Sequence, residues 1–282
     1  MALKKRMIIL ALGIFLSACG SGSDKISGKD IGGGELPPFS GTIFIAPDII
    51  NDSDPTSFVG LIYTGQESRS MYDRRLDTVK EYNAHLFVAT FDDGIEMEIQ
   101  VNPEFVQKSA LNQAEKYSRV IGQLPFTLRK HINYVFIHNG DYDWSGNYNG
   151  SHGIYDISGD ANFSDGWLLI HTLRGEKYFA SGIVAETLIH EAIHAIFDDF
   201  HADNSQWKLA QQQDSGFIST HAQNHHTQED LAESFVPYLA IRYKSDRISQ
   251  ELRQTIITTN EHRINYFDSL NVEIYPMVMT SR

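Results

Sequence analysis

The sequence lacks the cysteines that a disulfide-stabilised protein needs: among its 282 residues there is one, Cys19. A lone cysteine excludes intrachain disulfides, so the folded chain must be stabilised by its hydrophobic core. A chain of this length can bury such a core in one large domain or in two small ones.

Positive charge is also scarce, because 23 Lys and Arg stand against 36 Asp and Glu, for a formal net charge of −13. Nucleic acids and anionic lipid surfaces attract proteins of the opposite charge. The composition therefore predicts no nucleic-acid partner. The acidic residues are spread along the chain, which is typical of a solvated surface.

The N-terminus has the pattern of a secretory leader. Basic residues 4–6 precede an apolar run, residues 7–16, that is too short to span a membrane as a mature helix. The run ends in Leu16-Ser17-Ala18-Cys19, which resembles the lipobox of bacterial lipoproteins. In that family the leader is removed before the cysteine, which then carries the lipid. The resemblance implies a signal peptide over residues 1–18 and lipidation of Cys19; an ordinary leader with an incidental cysteine is the alternative.

Residues 19–40 are rich in Gly, Ser, Asp and Pro, which predicts a flexible tether between the lipid and the folded part. Removal of the leader leaves 20 Lys and Arg against 36 Asp and Glu, a net charge of −16. The lipoprotein resemblance implies a chain anchored to the bacterial cell envelope. Gly20 stands where Asp is linked with inner-membrane retention in some bacteria, so the outer membrane or the cell surface is favoured.

Residues 41–102 predict a small β-rich region. Phe91-Asp92-Asp93-Gly94 is a hairpin signal between the last two strand-like runs. The four runs are residues 41–47, 58–65, 84–93 and 95–101.

From residue 103 the pattern changes, and residues 103–282 are predicted as the second domain of an α+β fold. Apolar residues recur at helical spacing from Ala110 to Ile121, before Gly122 and Pro125 end the run. A strand over residues 132–138, a polar glycine-rich loop over 139–166 and a strand over 167–173 follow.

The next helix carries the chemistry, because His190, Glu191 and His194 form an H-E-x-x-H motif. Residues four apart share a helix face, so both imidazoles can point at one metal ion. Glu191 is rotated to the side, where it can reach a water on that ion. The motif also arises by chance, so a third ligand is needed, since hydrolytic zinc takes three protein ligands and one water.

Two residues compete for the place of third ligand. His201 follows the helix, but the pattern H-E-x-x-H-x-x-G-x-x-H requires glycine where this chain has Phe197 and histidine where it has Phe200. Glu229 begins the run "EDLAESF", in which Glu229 and Glu233 share a predicted helix face. An acidic helix start is the alternative reading of this run.

Taken together, His190-Glu191-Ala192-Ile193-His194 and Glu229-Asp230-Leu231-Ala232-Glu233-Ser234-Phe235 resemble the gluzincin metallopeptidases. The second segment is most similar to the glutamate helix of the anthrax lethal factor type, which has an E-x-x-A-E-x-F run. The resemblance implies a zincin-like domain with a small mixed sheet, an H-E-x-x-H helix and a glutamate helix, preceded here by the β-rich region.

The same resemblance implies the roles of individual residues. Zn²⁺ would be bound by His190, His194 and Glu229, and Glu191 would be the catalytic base. Glu233 would support a ligand histidine from outside the metal shell, as carboxylates commonly do. The implied activity is hydrolysis of peptide bonds in a protein or peptide substrate.

For the group that stabilises the oxyanion this chain departs from the family pattern, because lethal-factor-like members carry a tyrosine shortly before the glutamate helix. Residues 219–226 contain no tyrosine. His221, His225 and His226 are the candidates there, and His221 is preferred by its position. The strand over residues 167–173 is predicted to be the edge strand that pairs with an extended substrate.

Three alternatives remain open. Residues 141–146 begin like a calcium loop, but His152 stands where such a loop requires glutamate, so a turn is favoured. Glu186, one turn before His190, is either an ion-pair partner or an outer support of the site. A non-catalytic surface binding lipoprotein with a zincin fold is the second candidate function, and Glu191 speaks against it, since a structural zinc site does not need that carboxylate.

Overall fold

The computed structural model describes residues 36–45, 48–148 and 166–278. The predicted signal peptide, Cys19, most of the tether and His152 lie outside the described residues. Within the described part of the chain, no helix combines the length and the apolar character needed to cross a membrane.

In the described part of the chain, six strands form one mixed sheet, in the order β1-β2-β3-β4-β6-β5. Neighbours pair antiparallel from β1 to β3 and between β6 and β5, and parallel from β3 through β4 to β6. The strands are β1 (Phe58–Asp73), β2 (Thr78–Phe91), β3 (Glu96–Val101), β4 (Ile132–His138), β5 (Ser145–Tyr148) and β6 (Gly166–His171).

The helices follow β3 or come after the last strand, so the fold is α+β, as the sequence predicts. They are α1 (Gln107–Ile121), α2 (Phe126–Arg129), α3 (Thr172–Ser181), α4 (Val184–Ile196), α5 (Ser205–Gln213), α6 (Thr220–Asn224), α7 (Asp230–Tyr243) and α8 (Gln250–Ser269). A short π-helical segment, Asp198–Ala202, follows α4.

The strands of the predicted β-rich region belong to the same sheet as those of the second region. β3 pairs with β4 through the register Ile99↔Val135 and Val101↔Ile137. Both sides of the predicted boundary at residue 102 therefore contribute to one continuous sheet.

The predicted strand at 41–47 is wrong over residues 41–45, which have no strand pairing. Their N–H groups bind side chains instead: Ile43 N donates to Glu233 Oε2 at 2.9 Å, and Ile45 N donates to Glu186 Oε2 at 2.9 Å. Both isoleucines are buried. This segment, residues 41–45, is therefore an ordered strap that binds α4 and α7. The end of the predicted tether is ordered as well, because Phe39 N donates to Ile218 O at 3.2 Å.

The predicted edge strand is also wrong. β6 lies between β4 and β5, so it is an internal strand, and the chain turns into α3 at Thr172. Among the described residues the edge strand on this side of the sheet is β5, which lies inside the segment predicted to be a loop. β5 has four residues and pairs antiparallel with β6 from Ser145↔Leu169 to Tyr148↔Gly166.

Helix α4 runs through the centre of the core, and twelve of its thirteen residues are buried. Its apolar side chains, among them Leu188, Ile189 and Ile193, join the main hydrophobic cluster with residues of the sheet, α1 and α7. α4 starts directly after α3 because Gly182 ends α3 in the left-handed conformation, with φ 69°. The motif helix is thus held on several sides, which fixes the direction of its polar side chains.

Two buried histidines lie side by side at the carboxyl ends of β4 and β6. His138 and His171 pair in register, and their rings stack with centroids 5.7 Å apart. Asn102 Nδ2 donates to His138 Nδ1 at 3.0 Å, and His171 Nδ1 donates to Asn139 O at 3.3 Å. Burial is the main cause that lowers the pKa of His138 to about 3 and that of His171 to about 4.

We expect acid to destabilise the fold through these two residues. Unfolded imidazoles bind protons below about pH 6.5, whereas His171 in the folded chain stays neutral down to about pH 4. The unfolded state therefore binds more protons between these values, and the free energy of unfolding falls by about 2 kcal/mol per histidine from pH 7 to pH 5. Urea unfolding with a chelator present should show a smaller fall for His171→Gln than for the wild type. If the free energy of unfolding falls equally in the wild type and in His171→Gln, proton uptake by His171 is not a cause of the acid destabilisation.

Candidate metal centre

Helix α4 points His190 and His194 to the same side, as their spacing predicts, and their Nε2 atoms are 3.1 Å apart. Glu229 comes from a distant part of the chain, at the residue that precedes α7. Its Oε2 lies 3.2 Å from Nε2 of each histidine. Packing of α4 against α7 in the core thus brings the three predicted ligands together.

These three side chains could hold a metal ion. A tetrahedral ion with bonds of about 2.0–2.1 Å places its ligand atoms about 3.3 Å apart, and the three observed separations are 3.1, 3.2 and 3.2 Å. The ligand atoms lie within 4.8 Å of one another, and in the described part of the chain no other group of three His, Asp or Glu side chains has such an arrangement.

Carboxylates behind the two imidazoles fix their orientation. His194 Nδ1 lies 2.7 Å from Asp198 Oδ2, and His190 Nδ1 lies 3.5 Å from Glu233 Oε1. A proton on each Nδ1 is stabilised by its carboxylate, which leaves the Nε2 lone pairs directed at the common centre. The sequence predicts the position of Glu233; Asp198 is an additional residue, and its place four residues after His194 is a signal that could have identified it.

Glu233 is itself held in a buried position with 1% exposure. Its Oε2 accepts hydrogen bonds from Ile43 N at 2.9 Å and from Ser219 Oγ at 2.5 Å. The carboxylate therefore connects the strap at 41–45 to the imidazole of His190.

Glu191 faces the edge strand. Gly146 N, in β5, donates to Glu191 Oε2 at 2.9 Å. The two elements touch so closely that a Cβ on Gly146 would lie 1.7 Å from the backbone oxygen of Glu191. Burial raises the pKa of Glu191 above its usual range, although the neighbouring imidazoles oppose the shift.

The centre is strongly polarised. Burial disfavours charge on Glu229, but the imidazoles around it outweigh burial and hold the pKa of its carboxyl far below the usual range. Burial likewise opposes a proton on His194, yet Asp198 and Glu229 raise its pKa well above the usual value. The site therefore favours a carboxylate and a positive charge in contact, which a bound cation also satisfies.

The ring of His221 lies at this centre, whereas His225 contacts Glu229 through the backbone, where Glu229 N donates to His225 O at 2.8 Å. His221 Nε2 is 3.3 Å from Glu229 Oε2, and it is buried without a hydrogen bond of its own. His225 and His226 are exposed; the ring of His225 contacts that of His221 with centroids 5.1 Å apart.

His201 is placed elsewhere. Its Nδ1 lies 2.6 Å from the hydroxyl of Tyr266, and its ring stacks on Phe197 with centroids 4.8 Å apart. The structure thus leaves Glu229, rather than His201, beside the two motif histidines.

Among the described residues, Glu186 takes neither of the two roles considered for it. Its carboxylate accepts hydrogen bonds from Ile45 N at 2.9 Å and from Ile49 N at 3.2 Å, so it holds the strap rather than a basic side chain or a ligand. Burial raises its pKa to about 8.

In the segment compared with a calcium loop, the acidic side chains bind cations of the chain. Asp141 pairs with Arg174 and Lys177, and Asp143 pairs with Arg174. Both carboxylates are thus engaged in ion pairs within the turn before β5, as the favoured interpretation of this segment as a turn expects.

Comparisons with known proteins give no match: no family model, no curated protein and no solved structure is similar to this chain.

Proposed function

We propose that the chain is a zinc-dependent endopeptidase with a zincin-like fold. The observation that carries the proposal is the convergence of His190, His194 and Glu229 at the spacing of a tetrahedral shell, with the buried carboxylate of Glu191 beside it. Two imidazoles and one carboxylate are a donor set typical of hydrolytic zinc sites, which keep a position open for water. The six-stranded mixed sheet with an antiparallel edge strand next to the motif helix also suits this fold.

In the proposed reaction the metal ligands hold the zinc and Glu191 transfers the proton. Zinc, when bound, makes water more acidic and polarises the substrate carbonyl. Glu191 takes a proton from the attacking water and passes it to the leaving amine. Burial raises the pKa of Glu191, which is the direction of change that strengthens a carboxylate as a general base.

His221 is the candidate for stabilising the developing oxyanion. Its Nε2 lies at the centre, 3.3 Å from Glu229 Oε2, so it is close to the place where the substrate carbonyl would be polarised. A donor placed at the position of the developing charge stabilises the transition state more than the ground state.

The substrate would bind along β5. Among the described residues, β5 pairs on one side only, with β6. An open edge offers N–H and C=O groups that an extended peptide can pair with. Because Gly146 in β5 contacts Glu191, a peptide on this edge would place its backbone next to the base.

The alternative function is a surface binding lipoprotein that does not cleave. It leaves unexplained why an acidic side chain with 2% exposure stands next to the ligand group. The test is to measure zinc content and cleavage of unstructured peptides by the purified chain. Zinc-dependent cleavage supports the peptidase; a zinc-loaded chain that leaves a diverse peptide library intact supports the binder.

We propose further that Cys19 carries a lipid and holds the chain at the bacterial cell envelope, on the outer membrane or the cell surface. Cys19→Ser should then move the protein from the membrane fraction to the soluble fraction, because the acyl chains supply the anchoring energy. Fractionation after a high-salt wash measures this. A variant that remains with the membrane at the wild-type level contradicts the lipid anchor.

A further inference from the structure

The turn between β1 and β2 reaches the edge strand next to the metal centre. Arg74 follows the last residue of β1, and its Nη1 donates to Trp144 O at 3.1 Å and to Ser145 Oγ. Ser145 is the first residue of β5. One guanidinium group thus binds the backbone and the side chain at the point where the edge strand starts.

The next residue of that strand touches the proposed base. Gly146 N donates to Glu191 Oε2 at 2.9 Å, and Gly146 packs against the backbone of α4 with no room for a side chain. A displacement of β5 along or away from α4 would therefore change the orientation of the Glu191 carboxylate. The hydrogen bonds of Arg74 oppose such a displacement one residue away.

The charge of Arg74 is not used in an ion pair within the described part of the chain. Its partners among the described residues are a carbonyl and a hydroxyl, while the adjacent Arg75 pairs with Asp73 and Glu104. Burial raises the pKa of Glu191, and the positive charge of Arg74 is among the smaller effects that lower it. Arg74 is half-buried, and its guanidinium group binds the residues that lead into β5.

We infer that Arg74 is a positioning residue for Glu191: it holds the start of β5 so that the Gly146 N–H orients the carboxylate. The expected effect on cleavage rests on the proposed function. The effect of Arg74 on the position of Gly146 does not, because hydrogen exchange of the Gly146 amide can be measured without an activity assay. Among the described residues Arg74 binds Trp144 O and Ser145 Oγ and none of the three candidate ligands, so its loss should leave the metal in place. A misplacement of about 1 Å in a catalytic group can cost about a hundredfold in rate.

The experiment compares Arg74→Ala with Arg69→Ala, an arginine of the same hairpin that pairs with Glu67 and Glu98. Hydrogen exchange of the Gly146 amide is measured by NMR, together with zinc content, melting temperature, kcat and KM. We expect Arg74→Ala to exchange Gly146 about tenfold faster or more, and to lower kcat by about 10 to 100-fold with a smaller change in KM. Zinc content should stay at the wild-type level, and added guanidinium ion should restore part of kcat. Arg69→Ala should behave as the wild type.

Unchanged Gly146 exchange in a folded Arg74→Ala overturns the inference, as does a loss of kcat that guanidinium does not restore at all. If Arg74→Ala does not fold, Ser145→Ala decides: faster Gly146 exchange supports the hold, and wild-type exchange overturns it. Absence of cleavage by the zinc-loaded wild type is a different result. It would end the proposed peptidase function, while the exchange measurement would still decide whether Arg74 fixes β5.

Discussion

Glu191→Gln should retain its zinc and lose at least about a hundredfold in peptide cleavage. The side chain is not among the three ligands, so the metal shell stays intact. An amide cannot accept the proton of the attacking water, and loss of a general base typically costs about 10² to 10⁴ in rate. Glutamine keeps an oxygen that can accept from Gly146 N, so the fold should be unaffected.

Zinc analysis, circular dichroism and a peptide-cleavage assay on the same preparation test this expectation. Glu115→Gln is a suitable control, because Glu115 is exposed on α1. Cleavage by Glu191→Gln at the wild-type rate would remove Glu191 from the mechanism. If the wild type and Glu191→Gln bind peptide equally well and neither cleaves it, the non-catalytic alternative is favoured.

Glu229→Gln should lose most of its zinc, whereas Glu233→Gln should keep a weakened site. Glu229 supplies the one negative ligand oxygen, and two imidazoles alone hold zinc poorly. Glu233 acts through His190 Nδ1 at 3.5 Å, and loss of such an outer carboxylate typically costs about 10 to 100-fold in metal affinity or activity. Glu229→Gln should therefore weaken binding by more than this range.

Competition titration with a zinc chelator measures both affinities. Glu251→Gln, at an exposed position in α8, controls for the loss of one negative charge. If Glu229→Gln binds zinc with the wild-type affinity, Glu229 is not a ligand and another residue must be the third one. An equal loss in the Glu229 and Glu233 variants would place both carboxylates in direct contact with the ion.

Much of the centre could be predicted because its geometry is local or strongly patterned. His190 and His194 are four apart on one helix, so their convergence follows from the helical period. The strand predicted at 132–138 agrees with β4 because an apolar run ends at polar residues on both sides. The hairpin at 91–94 forms as expected, with Gly94 at φ 87°.

The parts that could not be predicted depend on backbone groups and distant contacts. β5 has only four residues, one of them glycine, and it forms because Gly146 fits against the backbone of α4. The strap at 41–45 looks like a strand in sequence because Ile43 and Ile45 alternate, but their N–H groups bind carboxylates of α4 and α7. N–H donors are present in nearly every residue, so no pattern of side chains marks these contacts.

The location of zinc in crystals of the zinc-loaded chain tests the central claim most directly, by anomalous scattering at the zinc absorption edge. The account predicts one peak at about 2.0–2.2 Å from His190 Nε2, His194 Nε2 and a carboxylate oxygen of Glu229. Crystals with no peak among these three side chains, or with the zinc bound at the exposed His225 and His226 instead, would contradict it.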